Sequence, residues 1–167
     1  MIKEFKNEYS WLSNFSPCEI QFNGMLFPSV EHAYMSAKSD DLDWKKFCSD
    51  SNNSPGKVKR KSKNIVLKDD WESTKIEVMR KLLKIKFSQN PYRQLLLNTE
   101  NQVIQEGNRW GDTFWGVDLK TNVGENNLGL LIMEIREELK EEKPKEKLHR
   151  TMCKTAIASI RRLLRLH

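Results

Sequence analysis

A stripe of large apolar residues at helical spacing occupies the middle of the chain and most constrains what it can build. Trp71, Lys75, Val78, Met79, Leu82, Leu83, Ile85 and Phe87 give a mostly apolar face to a helix that starts at Asp69-Asp70 and runs to about Ser88. Acidic residues sit in its first turn and Lys/Arg in its later turns, as the helix dipole favours. Such a face is stable only when covered, and the rest of the chain offers only short pieces to cover it. Phe5 to Asn7 and Cys18 to Phe27 read as short strands, the second broken by the hairpin signal Asn23-Gly24. Ser29 caps a helix to about Lys38, Asp40 and Asp41 cap a second through Trp44 and Phe47, and Ser54-Pro55 opens a third. Asn90-Pro91 starts a helix through Leu97, and Val103 to Glu106 alternates like a strand. Gly107 to Gly124 is too rich in turn formers for a helix, and Leu128 to about Leu139 is helical again. The expected fold is α+β: a mostly helical single domain with a few short strands.

Charge divides the chain. Residues 1–139 hold 20 Lys/Arg and 20 Asp/Glu, whereas residues 140–167 hold 9 and 3, which supplies the whole net charge of +6. Lys140 to Lys147 alternates in charge around Pro144 and reads as a solvated linker. Beyond it Leu148, Met152, Ala156, Ile160, Leu163 and Leu164 recur every three or four residues, opposite Arg150, Lys154, Arg161 and Arg165. The expected organisation is therefore a domain over 1–140 and an extension over 141–167 ending in a C-terminal amphipathic basic helix. That helix, 148–167, is expected to dock on its own domain, self-associate or contact a polyanion.

With 38% hydrophobic and 31% charged residues the composition is that of a globular domain. No apolar run approaches the roughly 20 residues that span a bilayer, and Met1 to Lys6 lacks the apolar stretch of a signal peptide. No membrane span and a cytoplasmic location are the expectations. Cys18, Cys48 and Cys153 are odd in number and widely spaced, and the three histidines are scattered. Free thiols and no metal site are expected.

Two segments can carry chemistry. On a helix Glu31 and Lys38, seven residues apart, differ by about 20° and share a face with Tyr34 and Met35. Either they form a solvated surface pair, or a carboxylate and an amine are buried for a purpose. The stretch Glu106 to Asp118 holds Glu106, Asp112 and Asp118, the aromatics Trp110, Phe114 and Trp115, and Gly107, Gly111 and Gly116. Tryptophan faces stack on bases and glycines let backbone N–H groups approach a phosphate; the plainer reading is a loop whose tryptophans fill the core. The turn Trp11 to Pro17 frames a base edge or caps the core. The run Lys57 to Lys63 holds a phosphate or is solvated.

Taken together these segments resemble the NADAR (YbiA-like) N-glycosidase family. The resemblance rests on Leu12-Ser13-Asn14-Phe15, Pro28-Ser29-Val30-Glu31-His32-Ala33-Tyr34 with Lys38, and Trp71 followed by Val78-Met79-Arg80 and Lys86-Phe87. It continues in Glu106, Asp112-Thr113-Phe114-Trp115-Gly116, and Gly124 to Gly129 with Met133 and Arg136. It covers residues 1–140 and implies hydrolysis of a C1′–N glycosidic bond. The substrate it implies is nucleotide-like: a phosphoribosylamino-pyrimidine intermediate of riboflavin synthesis, or ADP-ribosylated guanine in nucleic acid. No cofactor is expected. The implied catalytic set is Glu31 as leading carboxylate, Glu106 and Asp112 as candidates for the second role, and Lys38 as an electrostatic partner or a Schiff-base nucleophile. Asn14, Phe15, Trp110, Trp115, Gly116 and Asn126 are the expected base and ribose contacts, and His32, pointing away from Glu31, is expected to be structural. The rival reading is a non-catalytic ADP-ribose or nucleotide-binding module with the basic tail on nucleic acid.

Overall fold

A computed structural model describes residues 1–142, the extent of every structural statement below. The chain runs through a 3-10 turn (Asn7–Leu12), hairpin strands β1 (Ile20–Phe22) and β2 (Met25–Phe27), and helices α1 (Val30–Ala37), α2 (Leu42–Ser49) and α3 (Pro55–Lys61). Helices α4 (Trp71–Ser88) and α5 (Tyr92–Asn98) follow, then strands β3 (Gly107–Asn108) and β4 (Val117–Asp118). A last helix, α6, covers residues 127–142. The α+β class and the mostly helical character expected from sequence are what the structure shows.

Local chemistry sets most of the boundaries. Asn23 and Gly24, both at positive φ (48° and 78°), make the tight turn between β1 and β2. Ser29, Asp41 and Ser54 each cap a helix by accepting a backbone N–H, the first from His32, the second from Asp43 and Trp44, the third from Lys57. Helix α4 buries Trp71, Met79, Leu82, Leu83, Lys86 and Phe87. It packs against α1 and α5, while α1 also meets α2, α3 and both hairpin strands. All eight residues of α1 are buried. An element enclosed on so many sides needs no polar face, and the charged residue it does carry, Glu31, therefore stands out.

Two expectations are corrected. Phe5 to Asn7 is not a strand: pairing occurs earlier, where Ile2 bridges Ile104 in parallel, and Asn7, at φ 51°, begins the 3-10 turn. The Val103 to Glu106 segment serves as its partner, with Ile2 N–H donating to Val103 O and Gln105 N–H to Ile2 O. A pairing with a partner about one hundred residues away leaves no local trace in the sequence. The linker read from Lys140 onward is helical through residue 142, where Glu142 pairs with Arg93 at 3.1 Å. The basic helix expected over 148–167, with Cys153 and its docking, self-association or polyanion contact, lies outside the described residues. Among the described residues Cys18 and Cys48 are free and buried, no cluster suits a metal ion, and no helix is long and apolar enough to cross a membrane.

Lys86 is the unexpected member of the core, at 0% exposure. Its Nζ donates to Ser13 O at 2.7 Å and lies 5.0 Å from the Tyr92 ring centroid, tying the 12–15 turn to α4. Burial pushes its ammonium down to about 7. The unfolded lysine holds its proton to about pH 10, so between about pH 7 and pH 10 the unfolded chain binds more protons and this residue makes stability rise with pH. Urea unfolding of wild type and Lys86→Met across about pH 6–9 should show the wild type gaining stability on the variant as pH rises. A pH-independent difference would contradict the assignment.

Candidate active site

One cavity of about 270 Å³ opens between α1, α3, α4 and the 106–115 segment. Its walls include Asn14, Phe15, Glu31, Tyr34, Met35, Lys38, Lys59, Met79, Glu106, Trp110, Asp112 and Trp115. Eight of the ten residues singled out from sequence thus face one space. Gly116 and Asn126 do not; they hold its wall from behind.

The floor comes from α1. Glu31 N–H donates to Asn14 O at 2.9 Å, which fixes the polar turn against the start of the helix. Glu31 is only 4% exposed, and its Oε1 is buried with no hydrogen-bond partner. Two other buried oxygens share that condition, Asn14 Oδ1 and Glu106 Oε2. Buried polar atoms are normally satisfied, so three orphaned oxygens on one cavity are acceptors left open to a polar ligand. Glu31 and Lys38 do share a face, but neither is a surface charge. Lys38 is half-buried, its Nζ 5.7 Å and 5.8 Å from the ring centroids of Tyr34 and Trp71. Burial lowers its basicity, partly opposed by the Glu31 charge. The nearest cation to Glu31 is instead Lys59 of α3, 3.9 Å from Oε1. The sequence reading of Lys57 to Lys63 as a phosphate-holding or solvated run missed this residue, because its position depends on how α3 packs on α1.

The two glutamates differ in company. Burial raises both, Glu106 to about 7. Around Glu31 the positive charges of Lys59 and Lys38 oppose that rise, whereas Glu106 feels chiefly the neighbouring Asp112, which adds to it. Both carboxyls are thus held above the usual carboxylate range, and they differ in the charges beside them, cations chiefly for Glu31 and a carboxylate chiefly for Glu106.

The opposite wall is built by amides. Asn108, buried and absent from the sequence-derived set, accepts from Asp112 N–H at 3.0 Å and donates to Asp112 O at 2.7 Å, fixing the 109–112 turn. Asp112 Oδ1 in turn accepts the Trp115 N–H at 2.9 Å. Local amide–backbone bonding is a known habit of Asn and Asp, and is the one sequence signal that points to Asn108. Trp115 packs edge-on to Tyr34 at 5.7 Å and joins the core, whereas Trp110 stays 66% exposed at the rim beside the exposed Phe15. The loop thus supplies both a core tryptophan and a free aromatic face. A Cβ on Gly116 would lie 2.2 Å from Glu106 O, so only glycine lets the two backbones meet. Asn126, at φ 56°, accepts from Glu106 N–H and donates to Ile104 O, both at 3.0 Å. Their work is to place Glu106.

The NADAR domain family model matches residues 2–140. The chain belongs to the NADAR family. It is 36% identical over 140 residues to the N-glycosidase YbiA of Shigella boydii, an alignment covering 82% of this chain and 86% of that one. It is 35% identical to the riboflavin biosynthesis protein VVA0006 of Vibrio vulnificus, covering 81% of this chain but only 37% of that longer protein. The NMR structure of the Escherichia coli protein YbiA superposes with a TM-score of 0.74 at 32% identity, over 86% of this chain and 89% of that one. The cavity described above lies wholly inside the NADAR match.

Asn126→Ala should lower stability by about 2–3 kcal/mol, since it strands a backbone donor and a backbone acceptor in a half-buried wall. Asn126→Asp, which keeps the acceptor for Glu106 N–H, should fall in between. Thermal unfolding checks both; an Ala variant as stable as wild type would show that the amide is not the brace of Glu106.

Proposed function

We propose that this NADAR protein is a hydrolase acting on N-glycosyl compounds, and that its substrate is a phosphoribosylamino-pyrimidine of the kind made in riboflavin synthesis. The observation that carries the reading is the pairing of two buried glutamates on one cavity, each with an orphaned oxygen, one with the Lys59 ammonium 3.9 Å away and the other feeling chiefly the Asp112 charge. Names among the relatives, N-glycosidase and riboflavin biosynthesis protein, support the reaction and the substrate class. The cavity is at the small end of ligand sites, which suits one ring and its sugar better than a long dinucleotide. The unit proposed to carry the activity is residues 1–140, with 141–167 an addition to it.

The chemistry follows from the geometry. Breaking C1′–N sends its electron pair to the leaving nitrogen and leaves positive charge on the sugar. In its ionised form the desolvated Glu31 stabilises that charge far more strongly than a carboxylate in water would. Glu106, protonated, gives its proton to the departing nitrogen and then takes one from the water that adds to C1′. The rim aromatics Phe15 and Trp110 offer faces for the base, Asn14 Oδ1 an acceptor for its amino group. Lys38, on the same cavity, acts on the same sugar carbon as a cation or, through its weakened basicity, as a free amine that displaces the leaving nitrogen at C1′ and forms, on ring opening, an imine that water then hydrolyses.

Glu31→Gln should lower kcat by about 10²–10³-fold with unchanged thermal stability, measured on a phosphoribosylamino-pyrimidine. In the wild type kcat/KM should fall as pH rises through about 7, where Glu106 loses its proton; Glu106→Gln should be slow and lack that limb. A Glu31→Gln variant of near-normal rate contradicts the carboxylate role. Borohydride added during turnover should trap a sugar adduct on Lys38 if the imine forms, and a fully active Lys38→Arg variant would restrict Lys38 to electrostatics.

A further inference from the structure

We propose that Lys59 is a positioning residue for the reaction: delivered from α3, its ammonium favours the charged form of the Glu31 carboxylate and turns it toward the cavity. The proposal rests on the glycosidase reading for its consequence in turnover, but its structural content stands on a closed chain of contacts. Glu31 and His32 are neighbours on α1. The His32 Nε2 lies 2.7 Å from Asn53 O, and must donate there because a carbonyl can only accept; Nδ1 lies 2.7 Å from Ser29 Oγ. His32 therefore fixes the residue just before the α3 cap, Ser54. Lys57 donates to Asn53 Oδ1 at 2.6 Å, and the fully buried Val58 anchors α3 in the core. The next residue, Lys59, then returns to Glu31 Oε1 at 3.9 Å. The structural histidine beside Glu31 is thus the device that brings a cation from another helix back to it.

The other groups facing Glu31 do not replace Lys59. Glu106 and Asp112, from the opposite wall, are of the wrong sign, and Tyr34, on α1 itself, is raised to a value at which it stays neutral. Lys6 lines the cavity from the N-terminal segment but is paired with Glu4 at 2.8 Å. Lys38 is half-buried between aromatic rings, where burial works against its charge. The Lys59 side chain is 48% exposed, so its ammonium keeps part of its hydration while its field reaches a carboxylate 6% exposed. The 3.9 Å gap leaves Oε1 free of a hydrogen bond and open to a ligand.

The test follows Glu31 directly, by ¹³C NMR titration of its labelled carboxyl in the ligand-free full chain, for wild type, Lys59→Met, Lys59→Gln and Lys59→Arg. Both neutral variants should raise the Glu31 midpoint by about one pH unit, the lower end of the effect of a close opposite charge, and Lys59→Arg should restore it. The acid limb of kcat/KM should move up by the same amount. An unchanged midpoint in the neutral variants overturns the proposal. So does a raised KM with an unmoved acid limb, which would make Lys59 a contact to an anionic substrate group. The titration uses no substrate, so it decides the role of Lys59 even if the glycosidase reading fails.

Discussion

The constraint on which the site depends is the removal of one carboxylate from water. Glu31 sits on a helix whose every residue is buried, where burial works against its charge and the nearby Lys59 and Lys38 work for it. An unpaired buried charge costs several kcal/mol. The arrangement that offsets this involves α1 for Glu31 and Lys38, α3 for Lys59, and the 12–15 turn that the Glu31 N–H pins in place. The buried Lys86 holds the same turn from the other side through Ser13 O. Each of these pieces has little reason to adopt its position except with respect to the others, so the core and the site are one construction.

The second carboxylate is held by different means. Glu106 lies on irregular chain, where strands of two residues provide almost no regular hydrogen bonding. Its backbone is fixed by the Asn126 amide and by the close approach of Gly116, and its neighbour Asp112 by Asn108. Side-chain amides here do what a sheet would do elsewhere. This explains how a loop segment holds an acid in place on the same cavity as Glu31.

Features governed by short-range chemistry were legible in the sequence. The caps Ser29, Asp41 and Ser54 and the Asn23-Gly24 turn act on residues only a few positions away, and the α4 stripe is a periodicity. The convergence of Glu31, Lys38, Glu106, Asp112 and the rim aromatics on one cavity was legible only through family motifs, since nothing in spacing brings residue 31 to residue 106. The parts played by Lys59 and Lys86 were not legible, although one lies in the run Lys57 to Lys63 and the other in the Lys86-Phe87 motif. A lysine in a basic run and a lysine near a helix end read as solvated, and only the packing of α3 on α1, and of α4 on the 12–15 turn, reveals otherwise. Gly116 and Asn126 stood out as motif positions, but their contribution is backbone approach and bracing behind the wall.

The central claim is that this cavity hydrolyses a C1′–N bond. The most direct measurement is mass-spectrometric product identification after incubating the wild-type chain separately with a phosphoribosylamino-pyrimidine and with ADP-ribosylated guanosine. The account predicts equimolar free aminopyrimidine and ribose phosphate from the first. Stoichiometric binding of either compound, with neither aminopyrimidine nor guanosine released, would contradict it and leave a nucleotide-binding module in its place.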